Sequence, residues 1–567
     1  MAKRWVIKDA ADASVVEQLT EQLSISPVLS NMLAHRGIND FEEARYFFRP
    51  SELHLHDPFL MQDMEKAIVR IDEAIAKGEK VMIYGDYDVD GTTAVALVYS
   101  FFAKHHAHIA YYIPDRYKEG YGISTIGIDY AAANGFGLII ALDCGIKSVD
   151  KVAYANTLGI DFIICDHHLP GEELPAAVAV LDPKRSDCQY PYKELSGCGI
   201  GLKLVQAYVE THDLPFEEVS QYFDLAAISI ACDIVHITGE NRVMAYFGLK
   251  KINENPCIGV KMLMEVAGRG TTYTISDVVF LLGPRINAAG RIDDAKHAVE
   301  LLIACNEDQA KEKGLLINIK NQERKGHDKQ ISEEALSMID NDAILIGRKS
   351  TVVFNENWHK GVIGIVASRL TEKYYRPTIV LTRSNGHVAG SARSVLGYDL
   401  YEALCGCSDL LIQFGGHKYA AGLTMRPEDV PAFIDKFEEV VGSTITDEQL
   451  IQQILIDAEI ALTDIDSKFF RVMNQFSPFG PENMAPVFLT KNVYVSGNPG
   501  LVGGSHLKMS IMQPGSAAFS CIAFNHGEYL PLLKSNVLFD VCYSIEENIW
   551  RDQRSIQLNI KGIRFGD

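Results

Sequence analysis

Three stretches in the first third of the chain share one plan: an apolar run, an acidic or histidine-bearing turn, then a helix-forming segment. They are KVMIYGDYDVDGTTA from Lys80, FGLIIALDCGIKSVD from Phe136 and GIDFIICDHHLPGEELP from Gly159. Short apolar strands alternating with helical segments predict crossover units and a parallel α/β sheet. All strands of such a sheet present their carboxyl ends at one edge, where ligands bind in open α/β sheets. Asp86, Asp88, Asp90, Asp143 and His167 would therefore converge, although they lie far apart in sequence. Asp233 follows another apolar segment, FDLAAISIACDIV, which reads as a helix, and would join them.

Aspartates at alternate positions repel one another and raise each other's pKa. A cation must sit among them, or they must splay into water. Asp86, Asp88, Asp90 and Gly91 match the start of an EF-hand calcium loop, but the closing glutamate position is filled by Leu97. Val81–Tyr84 also reads as a strand, where an EF-hand needs a helix. Thr92 or Thr93 is expected to cap the helix through AVALVYSFFAK. Taken alone, each residue has a plain reading: a solvated turn, a helix cap for Asp143, a structural histidine. Their coincidence at successive strand ends argues for a metal centre. Carboxylates with imidazole suit Mn²⁺ or Mg²⁺. Two ions about 3.5–4 Å apart could activate water and stabilise both oxygens of a phosphoryl displacement, with Asp143 as the bridging ligand.

Among 567 residues, 47% are hydrophobic and 22% charged, an ordinary globular balance. At roughly 150 residues per domain, three or four domains are expected. No long uncharged apolar run predicts a membrane span, and the N-terminus turns polar too early for a signal peptide. The 11 cysteines form no C-x-x-C pair, so reduced thiols and a cytoplasmic location are expected. A net charge of -21 opposes nucleic-acid binding unless a local basic groove or bound cations offset it.

YGDYDVDGTTA, LDCG, CDHH and ACDIV together resemble the four motifs of the DHH phosphoesterase superfamily, whose triplet falls on Asp166, His167 and His168. The stretches IPDRYKEGYGIS, GPRINAAGR, NWHKGVIGIVASRL, AGSARS, FGGHKYAAG and SPFGPENMAPVF resemble its branch of bacterial single-strand-specific 5′-to-3′ DNA exonucleases. The resemblance implies metal ligands at Asp86, Asp88, Asp90, Asp143, His167 and Asp233, holding two Mn²⁺ or Mg²⁺ ions. It implies catalytic roles for Asp143 and for His168, the latter at the scissile phosphate. It implies substrate contacts from Arg116, Asn287, Arg291, Ser391 and Arg393, the arginines and serine gripping a 5′-terminal phosphate. Gly415, Gly416 and His417 would add a close backbone approach to phosphate. Single-stranded DNA is the implied partner, with a single-strand-binding protein and a helicase as further ones and a monomer as the working form.

The expected architecture is α/β. A helical lead-in (1–60) precedes a parallel-sheet DHH domain (61–240) and a helical connector (241–342). An α/β DHHA1 domain (343–445) follows, then an OB-like β-barrel (446–567). KNVYVSGN, HLKMSIMQ, AFSCIAFN, NVLFDVCYSI and SIQLNIKGIRF alternate as strands of a small antiparallel barrel would, and an OB-fold binds single strands. Two other functions compete. A phosphodiesterase for dinucleotides would need no extended track, so the connector and barrel weigh against it. A catalytically dead scaffold would have lost metal ligands, and here all the expected acidic positions remain filled. Cleavage of labelled single-stranded DNA against a dinucleotide separates the first two readings, and metal binding excludes the third.

Overall fold

Side-chain oxygens start three short N-terminal helices: Asp12 for α1 (Ala13–Leu23), Ser26 for α2 (Pro27–Ala34) and Asp40 for α3 (Phe41–Phe48), each accepting a backbone N–H of the first turn. The structure, a computed structural model, describes residues 3–270, 272–535, 537–550 and 553–566. It divides into two compact units. The larger comprises Ile7–Gly290, Asp294–Asn318 and the stretch from Leu455 onward; the smaller is mainly Ile319–Ile454, with Arg291–Asp293.

In the larger unit, β1 (Lys80–Gly85) leads directly into α4 (Val89–Phe102). Strands β2 (Ile109–Tyr112), β3 (Phe136–Leu142), β4 (Asp161–Cys165) and β5 (Ala179–Leu181) complete an all-parallel sheet of order β2-β1-β3-β4-β5. Val81 and Ile83 face one core while Met82 and Tyr84 face another, so both faces are covered, as parallel sheets require. In this strand order the ligand crevice lies beyond the carboxyl ends of β1 and β3. Helices α5 (Gly197–Thr211), α6 (Phe223–Cys232) and α7 (Gly283–Ile292) follow.

α4 begins earlier than expected. Its cap is Asp88, whose carboxylate accepts from Gly91 N–H at 3.0 Å. Thr92 and Thr93 lie inside the first turns, and their hydroxyls bond back to the carbonyls of Asp88 and Val89. A carboxylate at the strand exit is the first cap the chain meets, so the helix needs no later one.

The connector carries α8 (Glu307–Asp340), 34 residues long, which leaves the larger unit and enters the smaller. There a five-stranded sheet has the order β9-β10-β8-β7-β6, from β6 (Thr351–Phe354), β7 (Thr378–Ser384), β8 (His387–Arg393), β9 (Gln413–His417) and β10 (Ala420–Met425). Helices α9 (Ile363–Tyr374) and α10 (Val430–Thr444) accompany it, α10 burying Phe433, Phe437 and Val441 at four-residue spacing.

The C-terminal barrel is built from β11 (Ala458–Glu459), β12 (Phe488–Val495), β13 (Gly500–Val502), β14 (His506–Met512), β15 (Phe519–Ala523), β16 (Phe539–Trp550) and β17 (Gln553–Phe565). Asn536, at the start of the expected NVLFDVCYSI strand, lies outside the described residues. Pairings run β12-β16-β17-β15-β14 and close back onto β12. The barrel is not wholly antiparallel: within its closed ring β15 and β17 pair in parallel, and β11 pairs in parallel with β12. A ring of five strands cannot alternate direction all the way round, so one pair must run the same way. Leu19, Leu29, Met32 and Leu33 of the N-terminal helices share a single apolar core with Phe488, Ile511, Phe539 and Leu558 of the barrel. Among the described residues no helix is long and apolar enough to cross a membrane, and all 11 cysteines are free thiols.

Candidate metal centre

His167 lies two residues beyond the end of β4, and its Nε2 faces three carboxylates: Asp143 at 3.2 Å, Asp233 at 3.6 Å and Asp90 at 3.8 Å. Four elements deliver them. Asp143 leaves β3 in a left-handed conformation, φ 59°, with its own N–H bonded to Cys165 O at the end of β4. Asp233 caps the carboxyl end of α6. Asp90 sits in the first turn of α4 and points inward. Its two oxygens take N–H bonds from Gly197 (2.7 Å) and Cys198 (2.8 Å) at the start of α5, and one from the Ser229 hydroxyl (2.7 Å). A helix N-terminus and a hydroxyl thus hold this carboxylate in place.

Burial, and then the charge of Asp90, pushes the Asp143 carboxyl well above the usual range. The same causes raise Asp233 to about 9. Burial followed by Asp88 raises Asp86, and burial followed by Asp90 raises Asp88. Burial lowers His167. Buried Asp86 Oδ2, Asp143 Oδ1 and both His167 ring nitrogens have no hydrogen-bond partner. Orphaned buried acceptors beside repelling carboxylates are costly, and a divalent cation resolves both problems. Oxygen donors with one imidazole fit Mn²⁺ or Mg²⁺. Among the described residues two donor groups lie within 4.8 Å: Asp90, His167 and Asp233; and Asp143, His167 and His168. Asp86 and Asp88 stand outside both groups, although the charge of Asp88 bears on Asp86 and on Asp143.

Asp166 works differently. It accepts from the backbone N–H groups of Ile146, His167 and His168 and pairs with His168 Nδ1 at 2.7 Å. Burial alone would raise it, but these bonds outweigh burial and hold it at about 2. Arg116 lies 5.1 Å above the Tyr87 ring, beside the first motif. Asn287 is half-buried on α7, a helix whose Gly290 leaves no room for a side chain against Tyr87 O.

In the smaller unit, Arg291, Ser391 and Arg393 converge on the start of α9. Arg291 donates to Gly361 O at 3.1 Å, and Arg393 donates to Ser391 Oγ at 3.2 Å. A Cβ on Gly364 would lie 2.9 Å from Ser391 Oγ and 3.1 Å from Arg393 Nη2. Register aligns Ser391, Gly422 and Gly415 across three strands, and Arg393, Ala420 and His417 two residues on. Directly paired residues share a face, and so do residues two apart. All six therefore line one face, with small residues between the Ser391–Arg393 pair and His417. Gly416 lies on the other face; its φ is 149° and a Cβ there would meet Ala420 O at 2.3 Å, so the hairpin itself demands glycine.

Sequence reasoning missed Gly197, Ser229, Gly364 and Tyr121. The stretch LSGCGIG carried a signal for the first: Ser196 caps α5, and glycine at position 197 leaves space beside Asp143. Ser229 carried none, because it lies 139 residues from its partner, Asp90.

Comparison with known proteins places three family models on the chain: DHH family, N-terminal domain, at residues 80–230; DHHA1 domain at residues 347–443; and RecJ OB domain at residues 456–562. The chain is 38% identical to the single-stranded-DNA-specific exonuclease RecJ of Bacillus subtilis (strain 168), covering 98% of this chain and 70% of the relative. It is 31% identical to that of Escherichia coli (strain K12), covering 95% and 96%. Among solved structures, RecJ in complex with Mn²⁺ from Thermus thermophilus superposes with a TM-score of 0.85 at 25% identity, covering 100% of this chain and 80% of that one. Exonuclease RecJ bound to manganese gives 0.60 at 30% identity, covering 68% and 96%.

Proposed function

The chain belongs to the RecJ family of single-stranded-DNA-specific exonucleases, and from that membership we infer that it hydrolyses single-stranded DNA from the 5′ end in a divalent-metal-dependent reaction, releasing 5′ mononucleotides. The observation that carries this reading is His167 Nε2 within 3.8 Å of Asp90, Asp143 and Asp233, in a chain similar to RecJ exonucleases over nearly its whole length. Asp86, Asp88, Asp90, Asp143, His167 and Asp233 would hold two Mn²⁺ or Mg²⁺ ions. Bound there, the ions supply water activation and neutralise charge at phosphorus.

The chain's own groups do the rest. Amides of α5 keep Asp90 in place among its like-charged neighbours. Asp166 orients His168 toward the scissile phosphate. Arg291, Arg393 and Ser391 are suited to a terminal phosphate, since planar guanidinium forks match its oxygens, and Arg116 and Asn287 would contact the strand. Gly415, Gly416 and His417 offer a backbone edge and a donor to further phosphates, and the barrel gives a single strand a surface. The working context is DNA repair and recombination in the cytoplasm, as a monomer, with a single-strand-binding protein and a helicase as partners. The test is digestion of 3′-labelled single-stranded and duplex DNA in Mn²⁺. Stepwise shortening of the single strand from its 5′ end is expected, and cleavage confined to dinucleotides would overturn the reading.

A further inference from the structure

His168 is anchored at both ring nitrogens, and only one anchor belongs to the family triplet. Nδ1 pairs with Asp166 Oδ1 at 2.7 Å. Asp166 is an acceptor held by three backbone amides, so the proton of that bond resides on Nδ1. At the other end, the Tyr121 hydroxyl lies 3.1 Å from Nε2. The same hydroxyl is 3.4 Å from the carbonyl oxygen of Asp143. It can therefore donate to Nε2 of a neutral ring, or accept from an imidazolium while donating to Asp143 O.

Nothing about core packing calls for a tyrosine here, because Tyr121 is 56% exposed. Its place is nonetheless fixed. The ring stands edge-on to Tyr87 (centroids 6.3 Å, 84°) and to His168 (6.0 Å, 78°), and Arg116 covers Tyr87. Gly120 and Gly122, with φ of 88° and 79°, turn the backbone on either side.

We propose that Tyr121 is a positioning residue for His168, its hydroxyl holding the imidazole with Nε2 beside Asp143 before a substrate phosphate arrives. An imidazole bonded only through Nδ1 can tilt about that bond. A second bond removes that freedom, so less of the substrate's binding energy goes into ordering the ring. This rests on the exonuclease reading for its consequence, but not for its geometry.

The test is Tyr121→Phe, which keeps the ring and removes the oxygen. In metal-free protein with ¹⁵N-labelled histidine, the His168 Nε2 resonance, assigned with His168→Gln, should move while the other imidazole signals stay. On single-stranded DNA, kcat/KM should fall about three- to tenfold, the worth of one hydrogen bond, with Mn²⁺ affinity unchanged. An unmoved His168 resonance or undiminished kcat/KM would overturn the proposal. Failure of the wild-type protein to cleave single-stranded DNA would instead count against the exonuclease reading, and the resonance would still decide the role of Tyr121.

Discussion

Asp143 combines a left-handed backbone with a buried, repelled carboxylate. Asparagine tolerates the same backbone and is nearly isosteric, so Asp143→Asn isolates the charge. Cleavage should vanish even in saturating Mn²⁺, while the metal-free protein should melt at the same temperature or higher, since a source of repulsion is gone. Retained turnover would remove Asp143 from the ligand set. The pH dependence follows from Asp233, whose carboxyl is raised to about 9 in the fold, against about 3.9 when unfolded. A raised acid stabilises the fold fully below its unfolded pKa, and that contribution is lost as pH climbs through the folded value. In chelator, the melting temperature should therefore fall from pH 6 to pH 9, and less so in Asp233→Asn. A melting temperature that rises over this window would contradict the assignment. Arg393 is tested against the end it would grip. Losing one bond to a charged group costs about 1.5–3 kcal/mol, or about ten- to a hundredfold. Arg393→Ala should lower kcat/KM by that factor on 5′-phosphorylated strands and much less on 5′-hydroxyl strands; additive losses would place the end pocket elsewhere.

Among the elements, α5 has the most exacting start. A Cβ on Gly197 would sit 2.6 Å from the Asp143 Cβ and 2.8 Å from its Oδ1. Gly197→Ala should displace Asp143 and weaken Mn²⁺ binding at least about tenfold by calorimetry. The loss of melting temperature should be small, because alanine is the better helix former. Unaltered Mn²⁺ affinity would show that the site has slack. The strand ends were legible in the sequence because Val81–Tyr84, Leu138–Leu142 and Phe162–Cys165 are short apolar runs that stop at an acid. The start of α4 was not, since Asp88 and the two threonines are all good caps and only the sharp exit from β1 selects between them. Nor was the inward turn of Asp90, whose amide partners lie more than 100 residues away. The aspartates could be listed as candidates from sequence, but their division between the cluster around His167 and the flanking pair Asp86 and Asp88 depends on helix phase. The parallel pair within the five-strand ring followed from strand count, which alternation alone does not report.

For the whole molecule, a net charge of -21 must coexist with a polyanionic substrate. Each phosphate neutralised on a single strand contributes roughly -0.7 to the slope of log K against log salt, so five contacts would give about -3.5. A slope near that value is expected in a titration of the Asp143→Asn protein with an oligonucleotide, and a flat response would mean that no phosphate track exists. The core shared by Leu29, Leu33, Phe488 and Phe539 has another consequence, one of timing. Helices α1 to α3 leave the ribosome well before the barrel that completes their core is made. At about 5–20 residues per second, roughly half a minute to two minutes separate the two events. Throughout that interval the nascent chain carries Leu19, Leu29 and Met32 without their partners, an invitation to a chaperone that a polypeptide whose neighbours in space were neighbours in synthesis would not extend.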